Sequence, residues 1–335
     1  MGRRTTIHDV AAAAGVSVAT VSKAVHGRYG VAPETARRVL EVIEDLGYQS
    51  SLGASSMRSR RTGVIGVLVP AFEPFSAEIL KGVGAAARGT GMDLLAYSGS
   101  QDGEGAGWER RSVNRLSGTL IDGVIMVTPT VVNVSAEVPI VAIDPYTGPA
   151  DLPTVESDSF HGAQLATRYL IELGHTRIGF IAGRPDLRSA ELRDAGYRRS
   201  LHEARIPFDP RLVGIGRYQQ DAARELAHEL LTQADRPTAI FASNDLSAIA
   251  VMAVAAQLGI SVPDELSVIG FDDIPEAARH SPPLSTVRQP MQRLGEVAAR
   301  LLFALMSGET PPQTHLQLPT RLVARATTAP PPRGV

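Results

Sequence analysis

Thr6-Ile7-His8-Asp9-Val10-Ala11-Ala12-Ala13-Ala14-Gly15-Val16-Ser17-Val18-Ala19-Thr20-Val21-Ser22-Lys23 reads as two short helices joined by a tight turn. Thr6 and Asp9 have the spacing of a capping box, in which each side chain satisfies the other's backbone N–H at a helix start. Gly15 stops the first helix, because glycine takes a positive φ without steric cost. Ser17 is placed to cap the second. Val10, Ala14, Val16 and Val21 are the small apolar residues that two crossing helices need for close packing. The pattern is that of a helix-turn-helix, whose second helix enters the major groove of DNA. Pro33 and Glu34 then favour the start of a third helix, and Gly47 is placed to end it.

The run Thr6 to Lys23, the segment Val31-Ala32-Pro33-Glu34-Thr35 and the stretch from Val39 to Tyr48 together resemble the headpiece of the lac repressor/purine repressor family. The resemblance implies a ligand-responsive bacterial transcription regulator. It also implies that Val18, Ala19 and Lys23 face base edges, while Ser17, Thr20, Ser22 and Tyr48 hold phosphates, with Thr6 a further DNA-binding residue. Val18 and Ala19 offer only apolar contact, for example to a thymine methyl, so Lys23 carries the hydrogen-bonded readout.

Residues 49–62 are polar, small and basic, which is the composition of a flexible linker. The resemblance implies instead a hinge segment that becomes helical on operator DNA, pairs with its dimer mate and wedges Met57 into the minor groove. Ser50 and Ser51 depart from the family's usual Pro-Asn start, and Gly53 lowers helix propensity by up to about 1 kcal/mol.

From residue 63 the rhythm becomes alternation of strand and helix. Gly63-Val64-Ile65-Gly66-Val67-Leu68-Val69-Pro70 is a continuous apolar run, as a strand buried on both faces requires. Further strands are predicted at 92–97, 123–127, 140–143, 177–181, near 213, at 239–242 and at 266–270. Helices are predicted at 75–88, 160–173, 189–204, 222–231, 246–258 and 291–306. The expected fold class is α/β: a three-helix head (1–48), a hinge (49–62), then two doubly wound lobes of periplasmic-binding-protein type (63–328). The first lobe takes about 63–160 plus 290–318 and the second about 161–289 plus 319–328. Residues 329–335, rich in proline, are expected to be a disordered tail.

Open α/β sheets bind ligands beyond the carboxyl ends of their strands. Asp144, Asn244 with Asp245, and Asp272 with Asp273 follow predicted strands, and Arg193 lies in the helix after another. Carboxylates, an amide and a guanidinium converging on a cleft suit a polyhydroxyl sugar. The family resemblance is strongest over 172–290, through Glu172 to Ile181, Ser189 to Tyr197, Ser243-Asn244-Asp245, Val268 to Asp273 and Pro282 to Gln289. It implies ligand contacts at Arg193, Asn244, Asp272 and Gln289, with Asp144 and Tyr218 lining the site and Phe75 either a contact or core. The plainer readings are that Asn244 or Asp245 caps a helix, and that Arg193 pairs with Glu191 or Asp194 on the surface. Trp108, in a glycine-rich stretch expected to be flexible, either stacks a sugar or covers the lobe. The segment Gly183-Arg184-Pro185-Asp186-Leu187 resembles members that respond to plant-polysaccharide sugars.

Composition narrows the alternatives. The 335 residues are 44% hydrophobic and 20% charged, which is ordinary for a globular protein. No cysteine is present, so disulfides and thiolate metal sites are excluded. Net charge is −2, but residues 1–62 carry nine basic and five acidic side chains, a net of +4, which leaves −6 for the remainder. A basic head on an acidic body suits DNA binding by the head alone. The charged N-terminus leads into no apolar segment, and no apolar run is long enough for a membrane, so a cytoplasmic location is expected.

There is no P-loop, GxSxG or HExxH signature. Gly82-Val83-Gly84-Ala85-Ala86-Ala87 loosely matches a dinucleotide pattern but follows a helix and not a strand. No enzyme, cofactor or metal is expected. The expected partners are operator DNA, a sugar effector and a second copy of the chain; a nucleobase or phosphoprotein corepressor, and a stand-alone binding protein, are the alternatives.

Overall fold

The computed structural model describes residues 5–25, 30–46, 61–99, 107–130, 137–145 and 152–332. The chain divides into two compact units, Met1–Thr62 and Gly63–Val335.

In the first unit, α1 (Ile7–Ala14), α2 (Val18–Val25) and α3 (Pro33–Asp45) enclose a small core of Val10, Ala11, Ala14, Val21, Ala24 and Val39. The Thr6–Asp9 capping box is formed in both directions, and Gly15 ends α1 at φ 66°. Ser17 Oγ accepts from the Thr20 backbone N–H at 3.1 Å, so it caps α2 as expected. Leu46 caps α3 in right-handed geometry; the stop expected at Gly47 lies outside the described residues, as do Tyr48, Met57 and nearly all of the expected hinge.

The second unit holds two six-stranded sheets. Its elements, in chain order, are β1 (Val64–Val69), α4 (Pro74–Ala87), β2 (Asp93–Ser98), α5 (Trp108–Leu116), β3 (Gly123–Val127), β4 (Ile140–Ile143), β5 (Thr154–Ser157), α6 (Ser159–Glu172), β6 (Ile178–Ala182), α7 (Arg188–Glu203), β7 (Val213–Ile215), α8 (Gln220–Leu231), β8 (Ala239–Ala242), α9 (Asp245–Gln257), β9 (Ser267–Asp272), α10 (Pro275–Arg279), β10 (Ser285–Arg288), α11 (Met291–Met306), β11 (His315–Leu318) and β12 (Arg321–Val323). The first sheet runs β11-β5-β4-β3-β1-β2 and is parallel throughout. The second runs β12-β10-β9-β8-β6-β7, parallel except for β12. β1, β3, β4 and β8 are buried along their whole length, as their continuous apolar runs require, and β9 is buried throughout with Ser267 and Asp272 at its ends.

The chain crosses between the sheets three times: after β5, after β10 and between β11 and β12. Two of the crossings are tied together. The Asp158 N–H donates to Leu318 O at 2.8 Å, and Thr320 Oγ donates to Asp158 O at 3.1 Å.

Several expectations are corrected. β5, β10, β11 and β12 were not predicted, because each is three or four residues long and mixes polar with apolar side chains. Trp108 opens α5, and its ring packs where a Gly99 side chain would stand; residues 103–106 of the glycine-rich stretch before it lie outside the described residues. β9 runs on to Asp272, which therefore ends the strand instead of following it. The described part of the expected tail is packed: Ala329 donates to Ser267 Oγ and its carbonyl accepts from that hydroxyl, at 3.0 and 2.9 Å. His175 Nε2 also lies 2.9 Å from that carbonyl. Burial holds His175 below the ordinary histidine range, which fits a neutral ring clamping Thr238, Ser267 and the tail.

Candidate functional site

The strand ends of the two sheets surround a cavity of about 310 Å³. Phe75, Asp144, Arg193, Tyr218, Asn244, Asp272 and Gln289, the seven residues singled out in the body, all line it. The backbone is unusual here. Thr128, Asp144, Arg217, Tyr218 and Asp272 line the cavity with φ between +46° and +119°, in the left-handed region that side chains other than glycine rarely adopt. Such strain, about 1–3 kcal/mol per residue, persists only where the surrounding structure enforces it.

Arg193, on α7, is buried and not on the surface. Asp194, its alternative partner, pairs with Arg198 at 2.6 Å. The Arg193 guanidinium lies 3.8 Å over the Phe271 ring and donates from Nη1 to the Ser243 carbonyl at 2.5 Å. Its Nε has no partner, an unusual condition for a buried donor. Asp144 accepts from Ser189 Oγ at 2.9 Å, a bond that joins the two lobes.

Asn244 does cap α9, its Oδ1 accepting from the Ser247 N–H at 3.0 Å. That leaves Nδ2 as a donor for a ligand. Asp245 is not the cap: it accepts from the Ile274 N–H at 2.9 Å and from Thr286 Oγ at 2.5 Å, so it pins the loop after β9. Gln289 bridges the lobes. Its Nε2 donates to Asp272 at 2.6 Å, and its Oε1 accepts from Ser157 Oγ. Gln289 therefore positions Asp272 as well as facing the cavity. Asp273 points away, into ion pairs with Arg288 and Arg325. Phe75 lines the cavity and also packs on the core.

Burial raises Asp144, Glu73 and Asp245 above the ordinary carboxylate range. Asp272 is pushed up to about 7, mainly by burial and against the pull of Arg193 and Gln289. Folding therefore tightens proton binding at Asp272, and its contribution to stability is full below the ordinary carboxylate range and lost as pH rises through about 7. Measured against Asp272→Asn, the wild-type melting temperature is expected to fall between about pH 4 and pH 7. A flat difference would mean that Asp272 titrates as an ordinary carboxylate.

Sequence reasoning missed Thr128 and Arg217 as lining residues; Glu73, beside Phe75, and Arg184 and Leu187, in the segment that resembles sugar-responsive members, line the cavity too. Thr128 and Arg217 owe their places to left-handed backbone at loop positions where no glycine marks it.

In the first unit, Ala19 and Lys23 are exposed on α2, with Val18 and Ser22 half-buried beside them. The 3.6-residue repeat sets these four on one face, opposite buried Val21 and Ala24. Thr6 is committed to α1: its hydroxyl donates to Asp9 at 2.7 Å.

Residues 6–51 match the profile described as bacterial regulatory proteins, lacI family, and residues 167–328 match the periplasmic binding protein-like domain. Over 96% of its length the chain is 33% identical to catabolite control protein A of Priestia megaterium, covering 99% of that protein. It is 34% identical to the HTH-type transcriptional regulator CelR of Thermobifida fusca, over 96% of this chain and 98% of the relative. The chain belongs to the lacI family of bacterial regulatory proteins. Among solved structures, this lacI-family regulator resembles a CelR–cellobiose complex at TM-score 0.72 and 33% identity, over 97% of this chain and 100% of that one. It also resembles the lac repressor dimer bound to operator and the anti-inducer ONPF at TM-score 0.82 and 26% identity, over 98% and 100%. Members of this family are transcription regulators and not enzymes. Among the described residues, no helix is long and apolar enough to cross a membrane.

Proposed function

We propose that this lacI-family protein acts in the cytoplasm, on the nucleoid, as a homodimeric repressor released from its operator by a mono- or oligosaccharide. The observation that carries the sugar reading is the cavity's chemistry. Asp144, Asp272, Asn244 and Arg193 offer acceptors and donors from both sheets around one space, with the Tyr218 and Phe75 rings as apolar faces. Vicinal hydroxyls both donate and accept, and a forked guanidinium or carboxylate meets two at once. The CelR relative solved with cellobiose supports the same ligand class. Ligand that prefers one lobe arrangement shifts the population toward it, and a coupling of about 1–3 kcal/mol would change operator affinity roughly 5–150-fold.

Fluorescence anisotropy of labelled upstream DNA, with and without a panel of mono- and disaccharides, tests this. Specific binding that one sugar releases is the expected result; specific binding indifferent to every sugar contradicts it. In the same assay Lys23→Ala is expected to cost about 1–3 kcal/mol on the preferred operator and to relax preference at one position per half-site. Unchanged preference would remove Lys23 from the readout.

A further inference from the structure

Two loops of the second lobe meet at the cavity rim. Gly183, after β6, lies so close to Tyr218, after β7, that a Cβ on the glycine would stand 2.2 Å from Tyr218 Cζ. The residues flanking this contact, Arg184 and Arg217, both line the cavity. Arg184 is held by a fork: Nε and Nη2 donate to the two Asp186 oxygens at 3.1 and 2.5 Å. Arg217 has no hydrogen bond or ion pair among the described residues; Asp186, already engaged by Arg184, is the acid whose field reaches it. Arg217 and Tyr218 are consecutive left-handed residues, at φ 55° and 63°, so the loop is held in a costly conformation with that guanidinium on the cavity.

The Arg184 fork holds Asp186 below the ordinary carboxylate range, so Arg184 has a counter-charge of its own and Arg217 does not. Arg184, Arg193 and Arg217 face Glu73, Asp144 and Asp272. Burial raises all three carboxyls toward their neutral forms, whereas guanidinium stays charged. A neutral sugar satisfies Asp272, Asn244 and Asp144 and leaves Arg217 with no counter-charge beyond the field of Asp186, which Arg184 already holds.

We propose that Arg184 and Arg217 form an anion subsite, and that the effector is a sugar bearing one acidic group, a carboxylate or a phosphate. This inference rests on the sugar reading and narrows it. A planar carboxylate or a phosphate matches the guanidinium fork, and Lys would offer only a point charge.

The test is calorimetric titration of the full-length protein with glucose, galactose and mannose, each as the neutral sugar, the uronate and the 6-phosphate, and with cellobiose and its uronate. In one series an acidic form is expected to bind at least about tenfold tighter than its neutral parent, by the usual worth of a hydrogen bond to a charged group. Whether the uronate or the phosphate wins identifies the anion. Arg217→Gln is expected to erase that preference, Arg217→Lys to keep part of it, and Arg184→Gln to weaken it. Arg217 is exposed, and its backbone conformation is the same problem for every substituted residue, so loss of fold does not mimic the result. A neutral sugar that binds as well as or better than both its acids overturns the subsite while leaving the sugar reading intact. So does a preference that survives Arg217→Gln. Failure of every probe to bind overturns the sugar reading and this inference with it.

Discussion

Arg193→Ala is expected to weaken effector binding by roughly a hundredfold to twenty-thousandfold, and to abolish effector-driven release from DNA. Two lost hydrogen bonds from a charged donor, at about 1.5–3 kcal/mol each, give that range. The loss has a second part. Arg193 is the leading favourable charge for both Asp144 and Asp272, so without it both carboxyls rise further toward their neutral forms. A protonated carboxyl loses acceptor capacity. The substitution also empties a buried space over Phe271, which costs stability on the order of 1–3 kcal/mol. Titration of the effector separates these effects when read beside operator binding: persistent DNA binding with no response is the expected pair of results. An Arg193→Ala protein that still responds would place the effector elsewhere.

The largest effect on stability is expected at Gly82. A Cβ there would lie 1.9 Å from the Gln292 carbonyl oxygen, with more backbone at 2.7 and 2.9 Å. Gly295 is the reciprocal position, its Cβ falling 2.2 Å from Ile79 O. α4 and α11 therefore touch through their backbones, and neither can yield by rotating a side chain. Gly82→Ala is expected to destabilise the second unit by about 3 kcal/mol, at the upper end for overpacking. Gly84 is the internal control. Its Cβ would meet nothing within 4 Å, so Gly84→Ala is expected to be neutral or to stabilise α4 by about 0.5–1 kcal/mol. Urea midpoints at fixed protein concentration distinguish the two. Equal midpoints would show that the helices separate freely at Gly82.

These glycines mark where sequence reading stops. Gly82 and Gly84 look alike in the chain, and only the approach of α11, more than two hundred residues away, tells them apart. What was legible is local chemistry. The Thr6–Asp9 pair and Gly15 act within one turn of helix, and the buried strands announce themselves by unbroken apolar runs. The strand-end rule located Asp144, Asn244 and Asp272 because parallel sheets place their loops on one side. Asp272 and Asp273 show its limit: neighbours at a strand end point to opposite faces, so one reaches the cavity and the other pairs with Arg288 and Arg325. Arg193 was ambiguous because Asp194 offered a surface partner, and helix geometry gives that partner to Arg198 one turn on. The short strands β5, β10, β11 and β12 are polar enough to be strands only in the company of their neighbours.

The most direct test of the central claim, that one cleft governs operator binding, is reciprocity. With the sugar that releases the operator in hand, its dissociation constant is measured on the full-length protein alone and on the protein saturated with operator DNA. Linkage requires both ligands to report the same factor. The expected result is that operator DNA weakens sugar binding by the factor, roughly 5–150, by which the sugar weakens operator binding. Identical sugar affinity with and without DNA would contradict coupling between the cleft and the helix-turn-helix.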